Sequence, residues 1–443
     1  MNKICANCYR LMSYAIVAVG LVEAVWGALQ LFGMVSSGHP RYPVTGSFYN
    51  PGPYGCFIGA IFPIAVYLWL SARRVVGKLL PAAYVMMTAL LLPGGLSRTG
   101  WLAALVGSAV VIVGIYREWF IRQPRRRLLT IGCVVGVGLA ALAVGAYCLK
   151  PDSALGRLLM WKVGCRAVTF GGVGWEQVAG AYGDAQEGYF AFRLGSPREE
   201  MLAGSPAYVF NEYIQIAIAY GLPVGLLFAA AMIGAALLYW RRRLYGLCGV
   251  MGALMAVCMA SYPLQFMEFR LLGAVVVAGG LLLLRPRWAA AAAAGSWVVA
   301  AGLFIATAKE VNIVDDFNKA KQLQKLERYE ESNAILLELL PKTSDPMVLN
   351  LIGLNYQALG HPKWAKRCFR RSAWRVPNRV YPEYLLMNLY KEQNDTVFMR
   401  IQANEVRWKK PKVHSTAIEQ MRREACHLLD SVPPKRPKYN YIR

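Results

Sequence analysis

Four groups of residues have types and spacings that can do chemistry. Arg98 stands in "LLLPGGLSRTGWLAALVG", between a proline with paired glycines and an apolar run, with no acid beside it. A guanidinium held there calls for an anion, and its planar fork suits phosphate oxygens better than a lysine would. An arginine that merely snorkels from the end of a span gives the same pattern. Residues 154–169, "ALGRLLMWKVGCRAVT", form a helix candidate with Arg157, Lys162 and Arg166 and no acid. Arg157 and Trp161, four apart, share one face, and lipid-headgroup anchoring competes with a binding role. Asn211, Glu212 and Tyr213 open an otherwise apolar helix. A carboxylate at such an entrance acquires a raised pKa, which makes Glu212 the first candidate general base, with Asp184 and Glu187 next. Complementing the helix dipole is the alternative role for Glu212. The fourth group is the aromatic stretch "GGVGWEQVAGAYGDAQEGYFAFRLGSPREE". Trp175, Gln177, Tyr182 and Tyr213 offer flat apolar faces beside polar groups, which is what a sugar needs; a small lid core is the competing reading.

These residues need elements to position them, and composition says where those elements lie. With 56% apolar residues and a mean hydropathy of +0.34, the 443-residue chain reads as an all-α polytopic membrane protein. Windows long enough to span a bilayer recur at 11–34, 54–71, 79–96, 99–116, 128–149, 212–239, 244–262, 266–284 and 288–308, about nine in all. The first holds Glu23 and Gln30 and is too long for a cleaved signal peptide. Placing the N-terminus inside puts Lys and Arg on the cytoplasmic side of the short loops by about fifteen to three, with Arg41, Arg98 and Arg270 outside. A net charge of +24 is therefore mainly a topology signal, and no nucleic-acid partner is expected. The same assignment puts a large loop, 150–210, and everything after 308 on the periplasmic side.

The expected organisation is a transmembrane domain at 1–308 containing that loop, a helical domain at 309–430 and a basic disordered tail at 431–443. Within "VLNLIGLNYQALGHPKWAKRCFRRSAWRVPN", Gly353, Tyr356, Gly360, Ala365, Phe369 and Pro377 fall at the offsets of a tetratricopeptide repeat. A looser copy precedes it in "KQLQKLERYEESNAILLELLPKTSD". So few repeats rarely stand alone, so the tail is expected to lean on the membrane domain or on a protein partner. The ten cysteines show no framework: Cys5 and Cys8 form a lone C-x-x-C without a second pair, no metal is expected, and Cys368 and Cys426 can bridge on the oxidising side.

Successive stretches resemble motifs of the O-antigen ligase and O-antigen polymerase family. They are "EAVWGALQLFG", "TGSFYNPGPYG", "LSRTGWLAA", "GRLLMWKVGCRAVTFGGVGWEQV" and "FNEYIQIAIAYGLPVGLL", within residues 20 to about 285. The resemblance implies a membrane glycosyltransferase of the GT-C type in the bacterial inner membrane, inverting and without metal, cofactor or nucleotide sugar. The glycan would come from undecaprenyl diphosphate on the periplasmic side and go to lipid A core, a growing glycan or a protein. By motif position, Arg98 and Arg157 match the family's donor-diphosphate arginines, with Arg166 beside them, and Asn211 and Glu212 occupy its acceptor motif. Many ligases have a histidine immediately before that Asn, where this chain has Phe210; its nearest outer-surface histidine is His39. Either another group, Glu212 first, serves as the base or the chemistry relies mostly on leaving-group stabilisation by the arginines, and nine spans are fewer than most relatives have. A polymerase, a protein O-glycosyltransferase and a non-enzymatic polysaccharide transporter or assembly subunit are the alternatives.

Overall fold

A computed structural model describes residues 3–95, 97–149, 151–284 and 313–431. The described residues form helices and no strand. In chain order these are α1 (Lys3–Leu31), α2 (Pro51–Ser71), α3 (Val76–Gly94), α4 (Arg98–Ile115), α5 (Arg117–Arg122), α6 (Arg125–Leu149), α7 (Pro151–Ala167), α8 (Val178–Ala191), α9 (Pro197–Leu202) and α10 (Glu212–Tyr220). They continue as α11 (Leu222–Arg241), α12 (Tyr245–Ala260), α13 (Met267–Leu284), α14 (Ile313–Lys325), α15 (Tyr329–Leu339), α16 (Pro346–Ala358), α17 (Pro362–Arg375), α18 (Tyr381–Glu392), α19 (Thr396–Trp408) and α20 (Thr416–Ser431).

Five described helices are long and apolar enough to cross a membrane: Ala6–Leu31 within α1, then α2, α3, α4 and α11. The helix α12 is apolar but shorter. Helices α6 and α13 cover two more of the expected windows, whereas the window at 288–308 and the basic tail after 431 lie outside the described residues. The chain divides into two compact units, one of Met1–Lys150, Phe210–Tyr213 and Pro223–Lys309, the other of Pro151–Val209, Ile214–Leu222 and Glu310–Arg443.

In the first unit α2 is the central helix, packed against α1, α3, α4 and α12. Glycine lets it approach α4 at backbone contact: a Cβ on Gly59 would stand 2.3 Å from the Gly100 carbonyl oxygen, and one on Gly100 would stand 2.2 Å from that of Gly55. Helices in lipid associate through such small-residue seams, because lipid tails supply no hydrophobic drive between them. The polar residues of α1 tie down the loop that follows it. Gln30 accepts the Thr45 and Gly46 amides at 2.8 Å each and donates to the Gly46 carbonyl at 3.0 Å, while Glu23 accepts from the Ser47 amide at 3.2 Å.

The second unit joins the loop to the C-terminal helices. Its loop core gathers Leu159, Val163, Tyr182, Tyr189, Phe190 and Ile218, and the tail helices pack in consecutive pairs. Gly353, Ala365 and Phe369 meet between α16 and α17, where a Cβ on Gly353 would come 2.4 Å from the Phe369 ring. Helix α17 lies on α8. There Gly180 abuts the Pro341 carbonyl, and the buried Arg375 is paired with Asp184 and Glu187. The tail thus packs on the loop. Cys368 is buried and Cys426 half-buried, and both are free thiols, so no bridge joins them.

The span expected over 212–239, with Gly221 and Pro223 as the residues to bend it, is broken outright at Gly221. Its φ of +93° lies in the region that glycine tolerates, and a Cβ there would stand 2.0 Å from the Phe170 carbonyl oxygen. The segment 169–174 stitches the break: Val173 and Gly174 donate to the Ile218 and Ala219 carbonyls at 3.0 and 2.8 Å, and Leu222 donates to that of Thr169 at 2.9 Å. So α10 precedes the span α11 and is distinct from it.

Candidate functional site

In the first unit the turn before α10 is held in place from both sides. Phe210 has φ +56°, a left-handed conformation that costs a bulky residue of order 1–2 kcal/mol, and its ring meets Tyr262 edge-on at 4.7 Å between centroids. Asn211 is buried and donates to the Met259 carbonyl at 3.1 Å; the Tyr213 hydroxyl donates to that of Met255 at 3.3 Å. Both carbonyls belong to the last turns of α12.

Glu212, between them, is 0% exposed. One oxygen accepts the Leu264 amide at 2.8 Å; the other, Oε2, has no hydrogen-bond partner among the described residues. Burial pushes the carboxyl up to about 8, against the opposing pull of the Leu264 amide and the charge of Arg270. Arg270, only 6% exposed, donates through Nε to the Leu264 carbonyl, so one peptide residue links guanidinium and carboxyl. The sequence points to Glu212 but presents Arg270 only as an outer-loop charge. Its place two residues after Glu268 in "QFMEFRLL" carried no signal that it turns inward.

An apolar cavity of about 570 Å³ starts at Tyr213 and runs between α4, α11 and α12, with Val106, Val110, Ile233, Gly252, Met255 and Met259 in its walls. Arg98 is half-buried in the first turn of α4, eight residues before Val106 and so about 12 Å along the helix axis from it. The local fold is fixed by Ser97, which donates to the Gly52 carbonyl at 3.0 Å and caps the Gly100 amide at 3.3 Å.

The second unit holds the other predicted residues. Arg157 is half-buried on α7, and Arg166 lies exposed with its guanidinium 5.3 Å from the Tyr189 ring centroid. Lys162 pairs with Glu199 at 3.0 Å. Burial would raise the Glu199 carboxyl, but the Ser196 amide, Lys162, Tyr189 and the Ser196 hydroxyl outweigh it and hold it at about 2. Half-buried Trp175 stacks on Tyr220 at 6.1 Å and 19°, and Gln177 is exposed. Tyr182 is 1% exposed and donates to Gln186 at 2.8 Å; it is a core side chain with no face for a sugar. Asp184 and Glu187, next in line as bases, are both engaged in ion pairs with Arg371 and Arg375. Among the described residues no three His, Cys, Asp or Glu stand together as a metal site.

Residues 83–229 match the O-antigen ligase family model. The match spans Arg98, Arg157, Arg166 and the Asn211–Tyr213 turn, and stops short of Arg270 and the C-terminal helices. It points to a glycan-transfer role in O-antigen assembly by a multi-pass membrane protein. No curated protein and no solved structure matches the chain.

Proposed function

We propose that this chain, which carries an O-antigen ligase domain at residues 83–229, transfers a glycan from undecaprenyl diphosphate to an acceptor hydroxyl on the periplasmic face of the inner membrane. The observation that carries the reading is the buried Glu212, with Oε2 unpartnered among the described residues, one residue before the Tyr213 that opens the apolar cavity. The acceptor oxygen attacks the anomeric carbon and loses its proton to Glu212, and the glycosidic bond to the diphosphate breaks with inversion. Arg98, Arg157 and Arg166 hold the diphosphate and stabilise the charge that grows on it as it leaves. Asn211 and Tyr213 set the turn, Trp175 and Gln177 take sugar, and the apolar cavity takes the first isoprene units of the donor. Because the leaving group is good, most of the acceleration falls to orientation and leaving-group stabilisation, and no metal is needed. The C-terminal helices, tetratricopeptide-like in sequence, act as a structural part of the loop.

The test is reconstitution of the full chain in liposomes with purified lipid-linked glycan and a hydroxyl acceptor. A new glycosidic bond supports the reading, and movement of intact donor without one would replace it with transport. Arg98→Ala should abolish product while donor accumulates. A single transferred block identifies a ligase, a ladder in the lipid-linked pool a polymerase.

A further inference from the structure

A second cavity, of about 810 Å³, lies at the end of the bundle that the arginine distribution assigns to the cytoplasm. Arg10 of α1 and Arg73 and Arg74, between α2 and α3, line it together with Tyr14, Tyr67 and Ser71, and among the described residues no carboxylate does. No ion pair reaches any of these three arginines among the described residues. The walls are fixed. The Tyr9 hydroxyl accepts the Gly246 amide at 3.0 Å, its ring lies 5.5 Å from that of Tyr67, and the Tyr14 hydroxyl donates to the Gly77 carbonyl at 2.7 Å. Around this basic cup, Leu11, Val75, Val76 and Leu79 are exposed apolar side chains.

We infer that this cavity binds the phosphate headgroup of an anionic phospholipid, with the acyl chains along Leu11, Val75, Val76 and Leu79. Positive charge on the cytoplasmic side suffices to set topology, but topology needs neither a walled cavity nor hydroxyls beside the guanidinium groups. Three guanidinium groups without a carboxylate match a phosphodiester, and the apolar rim matches what hangs from it. A free phosphate would use the cup and leave the rim idle.

The experiment uses the full chain in phosphatidylcholine nanodiscs, titrated with dihexanoyl phosphatidylglycerol, dihexanoyl phosphatidylcholine and inorganic phosphate, with binding read by native mass spectrometry and thermal shift. Phosphatidylglycerol should bind, and Arg10→Gln, Arg73→Gln and Arg74→Gln should each weaken it about five-fold, about a hundred-fold together. Arg125→Gln, Arg126→Gln and Arg127→Gln, combined, remove the same charge from exposed positions at the start of α6 and should leave affinity unchanged. Equal loss in the two triple variants would reduce the site to diffuse surface attraction. Phosphate binding as tight as the lipid would make free phosphate the ligand, and no preference over phosphatidylcholine would remove the site. Should the triple variant misfold, the single substitutions decide, since affinity unchanged in all three overturns the proposal.

Discussion

Replacing Glu212 by Gln removes a titrating proton from the turn and keeps its shape. With the carboxyl at about 8, only about a tenth of the molecules hold it ionised at pH 7, and about a hundredth at pH 6. If the ionised form is the base, kcat/KM should climb about fifty-fold between pH 6 and 8 and level off above. Initial rates of glycan transfer to a subsaturating acceptor, measured from pH 5.5 to 9, would show the limb; Glu212→Gln should lose at least 10²-fold and the limb with it. Stability gives an independent reading. The folded state raises this pKa, so the neutral carboxyl contributes stability that is whole below about 4.5 and is lost as pH rises through about 8. Across that window wild type should lose up to about 1.4 kcal/mol per pH unit relative to Glu212→Gln. A Gln variant that keeps wild-type rates and the same pH limb would refute the assignment, and parallel melting curves would refute the burial on which it rests.

Arg98→Lys keeps the charge but not the fork, and should cost about 10-fold or more in transfer, read as accumulated lipid-linked donor. Gly221→Ala puts a side chain at φ +93° and 2.0 Å from a backbone carbonyl, so it should destabilise by more than about 1–2 kcal/mol, seen as a lower Tm. Arg375→Ala leaves a gap under α8. The cost should be about 2 kcal/mol rather than the roughly 3–5 of a fully buried broken pair, because Asp184 is 60% exposed and Arg371 still engages Glu187; faster proteolysis of the C-terminal helices would report it.

Five of the nine expected spans were legible, because hydropathy sums over about 20 residues and needs no tertiary knowledge. The break at Gly221 was half legible: glycine and proline foretold a bend, but the stitching by residues 169–174 comes from a segment some fifty residues away. Aromatic residues could not be sorted by type. Trp175, in the turn before α8, stays half-buried against Tyr220, whereas Tyr182, on the inward face of α8, is sealed in the loop core. Asp184 and Glu187 looked available in the loop sequence because their partners, Arg371 and Arg375, lie nearly 190 residues later. Arg270 was invisible for a similar reason, since only the folded α12–α13 corner brings it to the Leu264 peptide.

Glu212 is mostly neutral at pH 7 and still gains as a base from its raised pKa. Raising a carboxyl from 4.5 to about 8 strengthens the ionised form; with a Brønsted coefficient of about 0.5 the gain is roughly fifty-fold. The population penalty at pH 7 is about ten-fold, so a net gain of about five-fold remains. The neutral majority has its own use, because an uncharged carboxyl spares the buried turn the cost of an unpaired charge while no acceptor is bound. Burial drives the rise, and the charge of Arg270 opposes it. Replacing Arg270 with Gln should therefore move the limb of the pH profile upward and lower the rate at pH 7, while leaving the plateau at high pH close to that of wild type.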